Sequence, residues 1–218
     1  MFLIGVPSVK PIIGSIGADS IAAHAQIPDN VEIVEVAGNI CREQGLQKMS
    51  LRGVAKEIGI SAPSLYEYFK NKDALIDSLR NLERTRLTIT LKEKLDPSKS
   101  IKKQLFDICK AYIEFAVQQP DSFQLLFSLP TGRKSVDIDP EEDSPYLPLV
   151  TICRKAIELE EVAEYINDPE ILAFQLRSLM HGMASLRSAT LRDVDFELET
   201  MINSAINQSL TGIFLASA

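Results

Sequence analysis

The stretch from Ser50 to Lys72 severely restricts the folds open to this chain. Apolar side chains recur at helical spacing up to Gly59, which stands where a helix C-cap favours a residue that can adopt positive φ. Ser61 then follows as the N-cap of a second helix. Pro63 falls in the first turn of that helix, where its missing N–H costs nothing. The stretch therefore predicts two short helices joined by a tight turn, the first of them capped by Ser50.

The second helix is expected to turn a polar face outward. Leu65 and Phe69 are four residues apart, so they lie on one face and are predicted to pack inward. The side chains left on the outside are small, polar or aromatic. A turn-linked pair of helices with such an outer helix is the geometry of a helix-turn-helix that enters the major groove of DNA.

Residues 33–79 also resemble the DNA-binding domain of TetR-family transcriptional regulators. The similarity needs no gap and rests mainly on the pattern GIS-x-x-x-LY-x-YF-x-x-K-x-x-L, from Gly59 to Leu75. It implies that five residues contact backbone phosphates: Ser50, Arg52, Ser64, Tyr66 and Lys72. It implies that four others face the base edges: Ser61, Ala62, Pro63 and Tyr68. The alternative is structural, with Tyr66 in the core and Ser50 and Ser61 acting only as caps.

The net charge of −7 is spread unevenly along the 218 residues. Residues 30–80 hold seven basic and seven acidic side chains, whereas residues 81–218 hold 15 basic and 21 acidic ones, a net of −6. Contacts to DNA would therefore rely on local basic residues, helix N-termini and hydroxyl groups. Few of the proposed base readers can make two hydrogen bonds to one base, so specificity is expected to use methyl contacts, Tyr68 and DNA shape.

We expect an all-α protein with an apolar N-terminal extension (1–29), a DNA-binding domain (30–80) and a ligand-binding and dimerisation domain (81–218). We expect residues 1–29 to be either an apolar arm that folds against the rest of the protein or an extension that arises because the assigned start codon lies upstream of the real one. Helical periodicity predicts helices over 30–44, 50–58, 61–69, 72–96, 100–119, 120–127, 146–166, 168–190 and 193–214, with a surface loop over 130–145.

The C-terminal half resembles one subgroup of TetR-family ligand domains through QQPDSFQLLF (118–127) and LMHGMASL (179–186). Arg177 stands where that subgroup has tryptophan, and the chain has no Trp. Convergent aromatic residues predict an apolar cavity for a small hydrophobic effector. Its candidate lining is Phe106, Cys109, Tyr112, Phe127 and Tyr146. The long fourth helix would carry the signal, because it begins beside the reading helix and ends in the ligand domain.

A homodimer is expected because one reading helix contacts only a few base pairs. Its seam is predicted in the last two helices, at Met180, Met183, Ile202 and Ile206. His181 lies on an apolar helix face, where packing is the more common role and ligand binding the alternative. The two histidines and three cysteines have no metal-ligand spacing, so no metal or cofactor is expected.

No enzymatic motif is present, since the sequence lacks GxSxG, a P-loop, HExxH and a GxGxxG that follows a strand. No apolar run reaches the roughly 20 residues that span a bilayer. The three cysteines are expected to be reduced and buried, in a cytoplasmic protein. The sequence thus predicts a cytoplasmic, ligand-responsive repressor that binds palindromic DNA. An activator of the same fold, a helical adaptor and an all-α enzyme are the alternatives.

Overall fold

The structure, a computed structural model, describes residues 30–127, 144–190 and 197–214. These ranges form nine α-helices and one π-helical turn (Leu186–Thr190), and their one isolated bridge joins Val162 to Phe214. The helices are α1 (Asn30–Gln44), α2 (Leu51–Ile58), α3 (Ala62–Tyr68), α4 (Lys72–Lys92), α5 (Ile101–Gln118), α6 (Pro120–Phe127), α7 (Leu147–Glu158), α8 (Pro169–Ser185) and α9 (Leu198–Ile213). The all-α prediction is confirmed. The predictions for residues 1–29, and for the loop up to residue 143, lie outside the described residues.

The turn between α2 and α3 forms as its residues predict. Ser50 Oγ accepts a hydrogen bond from the Gly53 amide at 3.1 Å, and Ser61 Oγ accepts one from the Ser64 amide at 3.2 Å. These bonds satisfy backbone donors that have no partner inside a first helical turn. Gly59 ends α2 with φ of 83°, a conformation that glycine adopts without steric cost. The predicted caps are confirmed.

Buried side chains form two cores that α4 connects. The N-terminal core is built from α1 to α3 and the first half of α4, which contributes Leu75 and Leu79. The C-terminal core is built mainly from α5, α7 and α8, and the second half of α4 contributes Leu87 and Leu91. The predicted passage of this helix from one core to the other is confirmed. The exact domain boundary stays a prediction.

The helix predicted over 146–166 is wrong in its second half. α7 ends at Glu158, and Glu160 adopts a left-handed φ of 54° that a continuing helix excludes. Val162 is buried against the C-terminal core and pairs with Phe214 in the isolated bridge, so its apolar side chain is covered without a helix. Asp168, where the predicted helix over 168–190 begins, caps α8, and its Oδ1 accepts hydrogen bonds from the amides of Glu170 and Ile171 at 2.8 and 3.1 Å.

The described helices hold no stretch long and apolar enough to cross a membrane. Within the same residues, no three His, Cys, Asp or Glu side chains are grouped so as to hold a metal ion.

Candidate functional site

The helix pair α2 and α3 places most of the candidate DNA contacts on the surface. Five of the nine residues are exposed: Ser50, Arg52, Ser61, Pro63 and Tyr66. Ala62, Ser64, Tyr68 and Lys72 are partly buried. Tyr66 is 49% exposed, whereas Leu65 beside it is fully buried. The alternative that Tyr66 belongs to the core is therefore wrong, and its contact with DNA stays a prediction.

The hydroxyls of Ser50 and Ser61 cap α2 and α3, and the hydroxyl of Ser64 bonds to that of Ser61. Ser61 Oγ and Ser64 Oγ lie 2.7 Å apart, so one of them donates to the other. Each hydroxyl has one proton and two lone pairs. Because Ser50 Oγ uses a lone pair at its cap, its O–H remains able to donate to a phosphate oxygen. Capping and phosphate contact are therefore compatible roles at this position.

Lys72 has a structural role that its spacing in the sequence does not reveal. Its Nζ donates to the carbonyl oxygens of Leu46 at 3.0 Å and Gln47 at 3.4 Å, in the loop that follows α1. The ammonium thus ties the first turn of α4 to this loop. An ammonium has three N–H donors, so a third direction is available for a phosphate.

A buried carboxylate holds α1 against α4. Glu83 is only 1% exposed and accepts a hydrogen bond from Arg86 Nη1 at 2.9 Å. Arg42 on α1 lies 3.8 Å from the same oxygen, and Arg86 also donates to Glu35 on α1 at 2.9 Å. Glu83 Oε2 has no partner in the described part of the chain. Charges buried in this way need their partners, so the network fixes how α1 sits on α4.

Two of the five candidate effector residues meet in an aromatic cluster. We call the set Tyr112, Phe123, Phe127 and His181 the Tyr112–His181 cluster. The Tyr112 hydroxyl lies 2.9 Å from His181 Nδ1, and the Phe127 ring lies 4.7 Å from the imidazole centroid. Phe123 contacts both the Tyr112 ring at 5.8 Å and the imidazole at 5.4 Å. Neither Phe123 nor His181 is among the five predicted lining residues, although Phe123 is one of the convergent aromatic residues and ligand binding is the alternative role of His181.

Burial sets the protonation of this cluster. It raises the pKa of Tyr112, so the phenol keeps its proton and can donate to Nδ1. It also lowers the pKa of His181, and the nearby Arg177 charge lowers it further. The favoured pair is therefore a neutral phenol beside a neutral imidazole, and the imidazole tautomer sets which of the two donates. The cluster offers a mostly apolar surface with little charge.

The other three candidates lie apart from these ring contacts. Cys109 is buried in the C-terminal core, which raises the pKa of its thiol to about 12. Phe106 lies under the Lys103 ammonium, which is 4.9 Å from the ring centroid. The Tyr146 hydroxyl donates to the Glu170 carbonyl at 3.0 Å, and Arg177 lies 5.1 Å from the Tyr146 ring. A single pocket lined by all five residues stays a prediction.

Helix α6 contacts both cores. Phe123 and Phe127 face the Tyr112–His181 cluster. Leu125, between them, is only 7% exposed and packs in the N-terminal core. Arg80 Nε on α4 donates to the Leu125 carbonyl at 3.2 Å. One short helix therefore contacts the aromatic cluster on one side and α4 and the N-terminal core on the other.

Two of the four predicted seam residues belong to the core of the protomer itself. Met180 is 2% exposed and Ile206 is 1% exposed in the single chain, so neither side chain presents surface to a second copy. That prediction is corrected for both, because Met180 on α8 and Ile206 on α9 pack inward in the C-terminal core. Met183 and Ile202 are partly buried against the C-terminal core and remain candidates. Other apolar side chains of α8, α9 and the turn between them are exposed: Ile171, Phe174, Leu186 and Met201.

Comparisons with known proteins match both halves of the chain. The sequence model described as bacterial regulatory proteins, tetR family, matches residues 33–79. The model described as tetracyclin repressor-like, C-terminal domain, matches residues 105–208. The chain is 28% identical over 88 residues to the nucleoid occlusion factor SlmA of Haemophilus influenzae, and the match spans 38% of each protein.

Two solved structures show the same fold at low identity. A protein of unknown function from Rhodococcus sp. RHA1 has a TM-score of 0.72 and 18% identity, over 91% of this chain and 100% of that one. A TetR-family transcriptional regulator from Haemophilus influenzae RD has a TM-score of 0.61 and 22% identity, over 85% of this chain and 96% of that one.

Proposed function

This chain belongs to the TetR family of bacterial regulatory proteins and is a DNA-binding transcriptional regulator, and from that premise we propose that it is a ligand-responsive repressor acting as a homodimer on a palindromic operator. The observation that carries the proposal is the outer face of α3. Tyr66 is exposed there on a helix whose start, end and turn are held by caps. Such a rigid helix keeps its contacts in the geometry that the major groove requires.

The homodimer follows from what one reading helix can recognise. Two copies related by a two-fold axis place their helices about 34–36 Å apart, one turn of DNA, so the operator is a palindrome. The exposed apolar side chains of α8, α9 and the turn between them support a seam on that side of the protomer. A cytoplasmic location suits both DNA binding and three buried free cysteines.

Regulation would run from the Tyr112–His181 cluster through α6 and α4 to the reading helix. We expect an uncharged, mostly hydrophobic effector, because the cluster is aromatic and its histidine favours the neutral form. An effector that binds beside Phe123 and Phe127 moves Leu125, which packs in the N-terminal core. A hundredfold preference for the DNA-incompetent arrangement corresponds to about 2.7 kcal/mol of coupling.

Selection of bound fragments from random DNA tests the DNA-binding part of the proposal. The expected result is one enriched palindrome that is retarded in a gel shift. Tyr66→Ala should weaken this complex, and Tyr165→Ala should not, because Tyr165 is 77% exposed but lies in the C-terminal half. In a transcription assay the protein should reduce synthesis from a promoter that carries the operator. Enrichment of unrelated fragments without symmetry, or increased synthesis, would contradict the proposal.

Reciprocal titration tests the regulatory part. Operator DNA must weaken effector binding by the same factor by which effector weakens operator binding. A hydrophobic compound that binds the protein is therefore titrated with and without operator. Equal affinities in the two titrations would show that this compound is not an inducer.

A further inference from the structure

Glu67 is the only charged side chain of the reading helix α3. It is exposed, and it takes part in no ion pair within the described residues. The base readers inferred from the sequence do not include it. A carboxylate on this helix is repelled by the phosphates of DNA, so it favours binding only where the DNA offers it a hydrogen-bond donor.

Helix geometry places Glu67 on the side of α3 that points away from the protein. Leu65 is fully buried, and a step of about 100° per residue puts Glu67 about 200° around the helix axis from it. Pro63, four residues before Glu67, is exposed on the same side of the helix. Helical side chains lean toward the N-terminus of their helix, so the carboxylate leans toward the turn of Pro63. That turn is the part of a reading helix that meets the base edges.

The hydrogen-bonding pattern of a carboxylate distinguishes one base pair from the others. An ionised carboxylate only accepts hydrogen bonds, so in the major groove its partners are the amino groups of adenine and cytosine. The adenine N6 amino group lies between two acceptors, adenine N7 and thymine O4, which repel a carboxylate. The cytosine N4 amino group has an acceptor, guanine O6, on one side only. A carboxylate in the groove therefore favours cytosine.

We propose that Glu67 is a specificity-determining residue, which reads a cytosine N4 amino group in each half of the operator. This inference rests on the proposed function, because it requires the outer face of α3 to enter the major groove. It goes further by assigning one base of the operator and the side chain that selects it. Replacement of the carboxylate should therefore change which base is preferred at one position of the half-site.

A complete set of operator variants tests the assignment on the full chain. Each position in one half of the selected operator is changed to all four bases, and every duplex is titrated by fluorescence anisotropy. At one position the unchanged protein should prefer cytosine about tenfold, within the usual cost of a mismatch at a base that is read. Glu67→Gln should remove this preference and favour adenine instead, because a glutamine amide makes two hydrogen bonds to adenine N6 and N7.

Glu57→Gln is the matched control. Glu57 is exposed on α2, so this variant loses the same charge from the same helix pair but outside the reading helix. Its base preferences should equal those of the unchanged protein at every position. A general gain in affinity from the loss of one negative charge affects all duplexes alike and cancels in the ratio between bases.

Two results would overturn the proposal, and they differ in what they leave standing. If Glu67→Gln keeps every base preference, whether or not it tightens binding to all duplexes, Glu67 reads no base and the protein remains a DNA-binding regulator. If the selection from random DNA yields no palindrome, the proposed function itself fails and the assignment of Glu67 fails with it.

Discussion

Replacing Leu125 by alanine tests whether α6 joins the two cores. The side chain is 7% exposed and packs in the N-terminal core, although α6 also faces the Tyr112–His181 cluster through Phe123 and Phe127. Core Leu→Ala substitutions cost about 2–5 kcal/mol. Leu125 lies at the edge of its core, so we take the lower limit of about 2 kcal/mol. This equals roughly a 30-fold increase in local opening, since about 1.4 kcal/mol is a factor of ten.

Hydrogen exchange measured by mass spectrometry locates the effect. Peptides from α1 and from the first half of α4 should exchange roughly 30-fold faster in Leu125→Ala, because these helices share the N-terminal core with Leu125. Leu126→Ala is the matched control. Leu126 is adjacent in sequence but packs against the C-terminal core, so its replacement should instead affect α5.

The opposite pattern would refute the reasoning. If Leu125→Ala accelerates exchange in α5 and α8 and leaves α1 unchanged, α6 belongs energetically to the C-terminal core alone. The proposed route from the aromatic cluster to the reading helix through α6 would then be rejected, and only α4 would remain as a connection.

Three further predictions concern the DNA contacts, the histidine and the dimer seam. Lys72→Ala should lower the magnitude of the salt slope of DNA binding by about one unit. Lys72→Ala should also destabilise the N-terminal core, because the Lys72 ammonium bonds to the Leu46 and Gln47 carbonyls. Lys70→Ala should not destabilise this core. An unchanged salt slope in Lys72→Ala would reject the phosphate contact. The pKa of His181 is lowered in the folded state, so the unfolded chain binds more protons at mildly acidic pH. Stability is therefore lost as the pH falls below about 6.5, the pKa of histidine in the unfolded chain. In urea unfolding, His181→Asn should lose less free energy of unfolding than the unchanged protein between neutral and mildly acidic pH. An equal loss in both proteins would show that other groups cause it. Sedimentation of Phe174→Glu should show a folded monomer, because Phe174 is 64% exposed in the single chain. Ile206→Glu should instead unfold the protomer, because it places a charge in the core. A normal dimer of Phe174→Glu would place the seam elsewhere.

The local features of the reading helix pair could be read from the sequence. Ser50, Gly59 and Ser61 act on backbone groups within a few residues of themselves, so their roles depend on neighbours that the sequence already shows. The same is true of Asp168 at the start of α8. The inward position of Leu65 and Phe69 follows from helical spacing alone.

The contacts between helices needed the tertiary structure. Lys72 reaches carbonyls 25 and 26 residues earlier in the chain, and Arg86 reaches Glu35 across 51 residues. The spacing of charges in the sequence does not show which of them meet. The packing of Leu125 in the N-terminal core also needed the tertiary structure, because the sequence of an eight-residue helix does not show which neighbouring helix each of its faces contacts.

The seam residues show where periodicity reaches its limit. Met180 on α8 and Ile206 on α9 were recognisable as members of apolar helix faces, and both are buried. Periodicity identifies a face that avoids water. The hydrophobic free energy gained per unit of buried apolar area does not depend on whether the same chain or a second copy covers that face. The sequence therefore determined that α8 and α9 carry apolar faces. Only the packing of α5, α7, α8 and α9 around one core decided that the protomer itself buries Met180 and Ile206 and leaves Phe174 and Met201 exposed.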